Sequence, residues 1–176
     1  NLSKMFENYD VLGAFWLTIQ LTFWGALGAL VIGTIVTVMR ISPVGILRWA
    51  ATAWTNIVLN TPLTLIVFFF AFGIYVKLNL PLAPGQPSAV QNFLWGIVGI
   101  AVYHSSLVAE ALRSGVNTVP LGQAEAARAI GLDFGQSLRE VILPQAFRGS
   151  IAPLGNTLIA LCKNTTVCAT IGVAEA

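Results

Sequence analysis

Of the 176 residues only 9% are charged, 56% are hydrophobic, and the mean hydropathy is +0.80. A water-soluble domain carries about a quarter charged residues to wet its surface, so this chain needs lipid as part of its solvent. The formal charge of +2, with no basic run and no arginine–aromatic patch, excludes a nucleic-acid partner.

The first ten residues contain Lys4, Glu7 and Asp10 and no apolar run, so they do not read as a signal peptide. Crossing the hydrocarbon core takes about 20 apolar helical residues. Val11 to Met39 is free of charge and predicts a first span over about 12–39. Gly25, Ala29, Gly33 and Thr37 recur in it every four residues, a spacing that lets another helix approach, within this chain or from another subunit. Trp49 to Val76 is again uncharged and predicts a second span over about 52–76. Pro81, Pro84, Gly85 and Pro87 then mark an external loop. A third span is expected over about 92–112 and a fourth over about 149–173, separated by a charged segment of about 114–148. The expected fold class is all-α, a polytopic transmembrane helical bundle in a single domain over 1–176.

Orientation follows from the arginines. All six lie in two segments, Arg40 to Arg48 and Arg113 to Arg148, that fall on the same side if four spans alternate. The positive-inside bias makes that side cytoplasmic and puts the N-terminus outside.

The long cytoplasmic segment has structure of its own. Pro120 can open a helix, Ala124, Ala126, Ala127 and Ala129 favour one, and Gly131 can close it in the left-handed conformation. Asp133 and Gln136 have the spacing of a capping box for a second helix, which Pro144 is expected to limit. The alanines leave the first helix almost bare, so it can seat deeply in a groove of another protein, with Glu125 and Arg128 paired on its flank. A helix lying on the lipid surface would instead want lysine opposite large apolar residues.

Glu125-Ala126-Ala127, then Gly131, then Val141 and Leu143-Pro144 at fixed spacing resemble the EAA loop of binding-protein-dependent ABC permeases, with Val141 in place of the usual isoleucine. Leu59-Asn60-Thr61-Pro62, Ala109-Glu110 through Gly115, Pro153-Leu154-Gly155-Asn156 and Lys163-Asn164-Thr165 are similar to the polar amino acid branch of that family. The resemblance implies the type I ABC importer permease fold, with four of the usual five helices present. It implies that Gly122, Glu125, Ala126, Ala127 and Gly131 form the loop that couples to the ATPase. It also implies the partners: a dimer of ATP-binding subunits, a second permease subunit, identical or paralogous, an extracytoplasmic amino acid-binding protein and the lipid of the bacterial inner membrane.

Polar groups at membrane depth are candidates for the translocation path. Asn60, Thr61 and Pro62 interrupt the second span, where a proline kink can serve packing or line a water-filled route. Asn156 can bond across helices or face a pore. Family members often read Lys-Asp where this chain has Lys163-Asn164; losing the acidic neighbour makes the field more positive and suits an acidic amino acid. Lys163 can equally reach the outer headgroups. Glu110 and Arg113 suit an intrahelical pair, and the lone His104 reads as a hydrogen-bonded packing residue.

Cys162 and Cys168 point to different helix faces and are not expected to bridge. There is no phosphate-binding glycine loop and no metal or triad set, so no cofactor, metal site or catalytic residue is expected, and the energy for transport must come from a partner. A permease for another small solute and a helical channel are the competing readings; a channel would need a filter loop or a charge ring.

Overall fold

The computed structural model describes residues 11–173; Lys4, Glu7 and Asp10, and with them the N-terminus assigned to the outside, lie beyond the described residues. Helix α1 spans Val11–Ile41, α2 Gly45–Leu59, and α3 Leu63–Phe68, which continues as π-helical turns over Phe69–Lys77. Helix α4 spans Ser88–Val116, α5 Leu121–Ala129, α6 Phe134–Gln136 and α7 Leu143–Asn164, followed by 3₁₀ turns over Thr165–Ile171. By length and apolar composition α1 and α4 can each cross a bilayer, and the α2–α3 pair makes a third candidate if counted as one span.

Helix α4 is the axis of the molecule. Its buried residues face α1 on one side and α7 on the other, and Ile100, Val108, Leu154 and Leu161 share one apolar core. Along α1 and α4 the close approaches advance together: Gly25 meets Ile100, Gly28 meets Ala101, and Gly33 meets Val108. The two helices therefore run parallel. The spacing is tight because a methyl group on Gly33 would come within 2.6 Å of Val108 Cγ1. Gly25, Ala29, Gly33 and Thr37 are all buried, so the four-residue stripe serves packing within this chain. On the other side Gly96 approaches Cys168, His104 meets Asn164, and Gly115 meets Ser150, which makes α4 and α7 antiparallel. The opposite face of α1 leaves Leu12, Phe15, Trp16, Phe23 and Ile35 exposed, which only a lipid environment accommodates.

The interruption expected at Asn60–Pro62 is present, and it is a sharp elbow at which α2 and α3 meet at 102°. Pro62 supplies no N–H and takes extended backbone (φ −55°, ψ 136°), so the helix cannot continue through it. The Thr61 hydroxyl donates to the Ile57 carbonyl at 2.7 Å, satisfying an acceptor that the broken helix leaves open, while the Asn56 carbonyl accepts from both the backbone and the side-chain amide of Asn60, at 3.1 and 2.7 Å. One expectation needs correction: Pro144 does not end the helix after Asp133. It lies in the first turn of α7, and α6 runs through π-helical turns over Ser137–Ile142 directly into it. The wider π turns give the proline ring room beside the preceding carbonyls, and the missing N–H costs least there. The fourth helix thus starts at Leu143, ahead of the expected 149, and gives way to 3₁₀ turns after Asn164.

Candidate functional site: a docking helix and a polar seam

Helix α5 stands between the ends of α4 and α7. Pro120 precedes it in extended backbone, and Gly131 closes it with φ +88°, a value a side chain would strain. The Gly131 and Leu132 amides donate to the Arg128 and Ala127 carbonyls at 3.0 and 3.1 Å. The capping box forms: Asp133 accepts from the Gln136 amide at 2.8 Å, and the Gln136 side chain accepts from the Asp133 amide at 3.0 Å.

Gly122, Glu125, Ala126, Ala129 and Gly131 are exposed on this helix and its cap, and so are Leu121 and Ile130, 83% and 78% accessible. A water-facing helix does not usually present two such side chains beside so little bulk. Ala127 differs from the rest. It is the one buried residue of α5, on the side where the helix packs against Ser137–Ile142. Its small size serves this chain's own packing, which corrects its placement on a face open to a partner. Arg128 also differs from expectation: its Nε donates to the Ala124 carbonyl at 3.2 Å, and no ion pair with Glu125 is formed among the described residues.

At the same end of the bundle Glu110 lies between two guanidinium groups. Arg113 donates to Oε2 through Nε and Nη2 at 3.1 and 2.9 Å, the pair expected from their spacing. Arg40, at the end of α1, donates to Oε1 at 2.5 Å, a contact that the sequence did not disclose. The carboxylate thus ties the feet of the two parallel helices, with the Arg40 side chain only 13% exposed.

The residues proposed for the path fall into two groups near one interface. Asn60, Thr61 and Pro62 form the elbow, and α3 directly after it packs against Thr165–Ile171, directly after Lys163 and Asn164. A cavity of 530 Å³ opens beside the elbow, lined by Trp54, Thr61, Leu65, Phe69, Phe70 and Val102. Lys163 is exposed at the last turn of α7. Asn164 is half-buried, and its Nδ2 lies 3.2 Å from Nε2 of the fully buried His104. Asn156 is exposed, two turns earlier on α7. His104 is hydrogen-bonded as expected, but its partner across the helix interface is one of the path candidates.

A helical bundle with a lipid-facing apolar surface and a structured, exposed short helix between two antiparallel helices is the architecture of an integral membrane protein. The chain belongs to the family of binding-protein-dependent transport system inner membrane components, which it matches over residues 29–175. It is 56% identical over 170 residues to the glutamate transport system permease protein GluC of Corynebacterium glutamicum, covering 95% of this chain and 75% of that protein. It is 36% identical to the probable glutamine ABC transporter permease protein GlnM of Bacillus subtilis, covering 95% and 74%. Among solved structures, a crystal structure of an amino acid ABC transporter with histidines superposes with a TM-score of 0.82 at 26% identity, over 99% of this chain and 77% of that one. The MetNI methionine ABC transporter in an inward-facing conformation superposes at 0.76 with 22% identity over 93% and 75%, and shares the fold. The fold is that of an ABC importer permease.

Proposed function

We propose that the chain is the translocation-pathway subunit of an ATP-driven importer for glutamate. The observation that carries this reading is the 56% identity with a permease named for glutamate, maintained over 95% of the chain. Lys163, exposed where α7 ends and two residues before the turns that pack against α3, supports an anionic side chain as cargo. The ammonium attracts a carboxylate, and Asn164 beside it adds no opposing charge.

The helix directions support four crossings, with the bent α2–α3 pair as the return between the parallel α1 and α4. Helix α7 does not qualify as a span by length and apolar composition alone, and its antiparallel packing on α4 is what supports it as the fourth. The arginines at the ends of α1 and α4 support a cytoplasmic location for these ends and an outer N-terminus. Helix α5 is then the cytoplasmic docking element for a separate ATP-binding subunit. A second permease chain and an extracytoplasmic binding protein complete the importer. ATP hydrolysis lies with the partner, not with this chain.

The test is uptake of labelled glutamate and glutamine in vesicles carrying the full set of subunits. Glutamate should enter only with ATP, and Lys163→Gln should weaken glutamate uptake about fivefold to tenfold, equivalent to roughly 1 kcal/mol of a desolvated charge contact. Entry without ATP would point to a channel. Equal entry of glutamate and glutamine, unmoved by Lys163→Gln, would overturn the acidic cargo and leave Lys163 an interfacial anchor.

A further inference from the structure

His104 is fully buried at the centre of α4, in the interface with α7. Both ring nitrogens are engaged: Nδ1 lies 3.0 Å from the Ile100 carbonyl, and Nε2 3.2 Å from Asn164 Nδ2. A carbonyl oxygen can only accept, so Nδ1 carries a proton. An amide nitrogen can only donate, so Nε2 is the acceptor. The two partners together define a neutral ring with one tautomer.

That tautomer has a consequence for Asn164. A primary amide has a donor end and an acceptor end, which exchange when the group flips. Nε2 selects the donor end and leaves Oδ1 as the acceptor end of a half-buried side chain that directly follows Lys163 in the chain. The bond acts at a sensitive point, since Asn164 is the last residue of α7 and the backbone tightens into 3₁₀ turns at Thr165. Lys163, exposed, and Asn164, half-buried, are then a cation and a fixed acceptor at consecutive positions of the last turn of α7. This pair is complementary to the carboxylate and the ammonium of an amino acid zwitterion.

We infer that His104 is a positioning residue for the translocation site, acting through Asn164 to fix the acceptor that receives the substrate ammonium. The inference rests on the glutamate reading above. It assigns a role in binding to a buried side chain that substrate never touches.

The experiment measures ATP-driven glutamate uptake in vesicles with the full set of subunits, normalised to the complex recovered by co-purification with the ATP-binding subunit. His104→Leu frees the Asn164 amide to flip. The KM for glutamate should rise about tenfold, the worth of one charge-assisted hydrogen bond, while Vmax per assembled complex is retained. His104→Gln, whose side-chain carbonyl can accept from Asn164, should recover most of the loss. Asn164→Ala should raise KM by itself, and adding His104→Leu to it should change little, because one residue acts through the other. A purely packing role predicts less assembled complex with an unaltered KM, and this result would overturn the inference. So would additive effects of His104→Leu and Asn164→Ala. If His104→Leu does not assemble, His104→Phe takes its place in the same comparison, and an unchanged KM in Asn164→Ala refutes the inference by itself. Absence of ATP-driven glutamate uptake by the unsubstituted protein would instead overturn the proposed function, before any variant is compared.

Discussion

Gly115 lies where α4 and α7 come closest, at the feet of the docking segment. A methyl group there would sit 1.9 Å from Ser150 Oγ, 2.2 Å from the Ala146 carbonyl oxygen and 2.9 Å from the Ser150 amide nitrogen. The hydroxyl can rotate, although it now donates to the Ala146 carbonyl at 2.7 Å. The carbonyl is backbone and cannot. An ordinary carbon–oxygen contact is about 3.3–3.6 Å, so Gly115→Ala must part the two helices by about 1 Å. Overpacking of this kind costs about 1–3 kcal/mol, and the rigidity of the atoms met puts this case at about 3. Alanine returns about 1 kcal/mol through its better helix propensity. The net loss is about 2 kcal/mol, which lowers Tm by about 4–8 °C for a chain of this size. Gly155→Ala is the control, because a methyl there meets nothing within 4 Å, and the propensity gain should stand alone. The assay is thermal unfolding of the detergent-solubilised complex, followed by tryptophan fluorescence. If Gly115→Ala and Gly155→Ala shift Tm in the same direction by similar amounts, the close approach of α4 and α7 is wrong.

Ala126→Trp, on the exposed side of α5, should abolish co-purification with the ATP-binding subunit while leaving Tm of the permease unchanged. Ala127→Leu, on the buried side, should instead lower Tm through overpacking by about 1–3 kcal/mol; the reverse pattern would exchange the two faces. Glu110→Gln removes the carboxylate shared by Arg40 and Arg113 and should cost about 1.5–3 kcal/mol, the range for hydrogen bonds to charged groups. A double-mutant cycle of Tm with Arg40→Gln checks it, and strict additivity would show the contact contributes nothing. In a background with Cys162→Ala and Cys168→Ala, an impermeant maleimide on intact cells should label Ser88→Cys and spare Ser114→Cys; the opposite pattern inverts the orientation.

What the sequence disclosed depended on whether the signal was local. The uncharged runs at 11–39 and 92–109 belong to α1 and α4 because lipid exposure removes charge from a whole segment at once. The capping box at Asp133 and the left-handed Gly131 were readable because each is completed within a few residues. Pro62 announced a break but not its angle, since the 102° turn is decided by where α3 packs. Arg40 gave no sign of reaching Glu110, seventy residues away, because only the parallel packing of α1 and α4 brings them together. His104 and Asn164 are sixty residues apart and were each legible alone, not as a pair. The alanines of α5 marked a helix made for close contact. Their composition could not say that Ala127 turns toward its own chain while Ala126 and Ala129 turn away.

The uninterrupted helical run from Phe134 through Asn164 joins the turns against which α5 packs to the turn that bears Lys163. At about 1.5 Å per residue, this run is about 45 Å long. It has the proportions of a lever arm rather than a wire, and α5 bears on its short end at Ser137–Ile142. Tilting a rod of that length by about 5° sweeps its far tip through about 4 Å, roughly three-quarters of the rise of one helical turn. A displacement at the base too small to unseat any side chain there is therefore large enough, at the other end, to carry an ammonium group into or out of reach of a carboxylate.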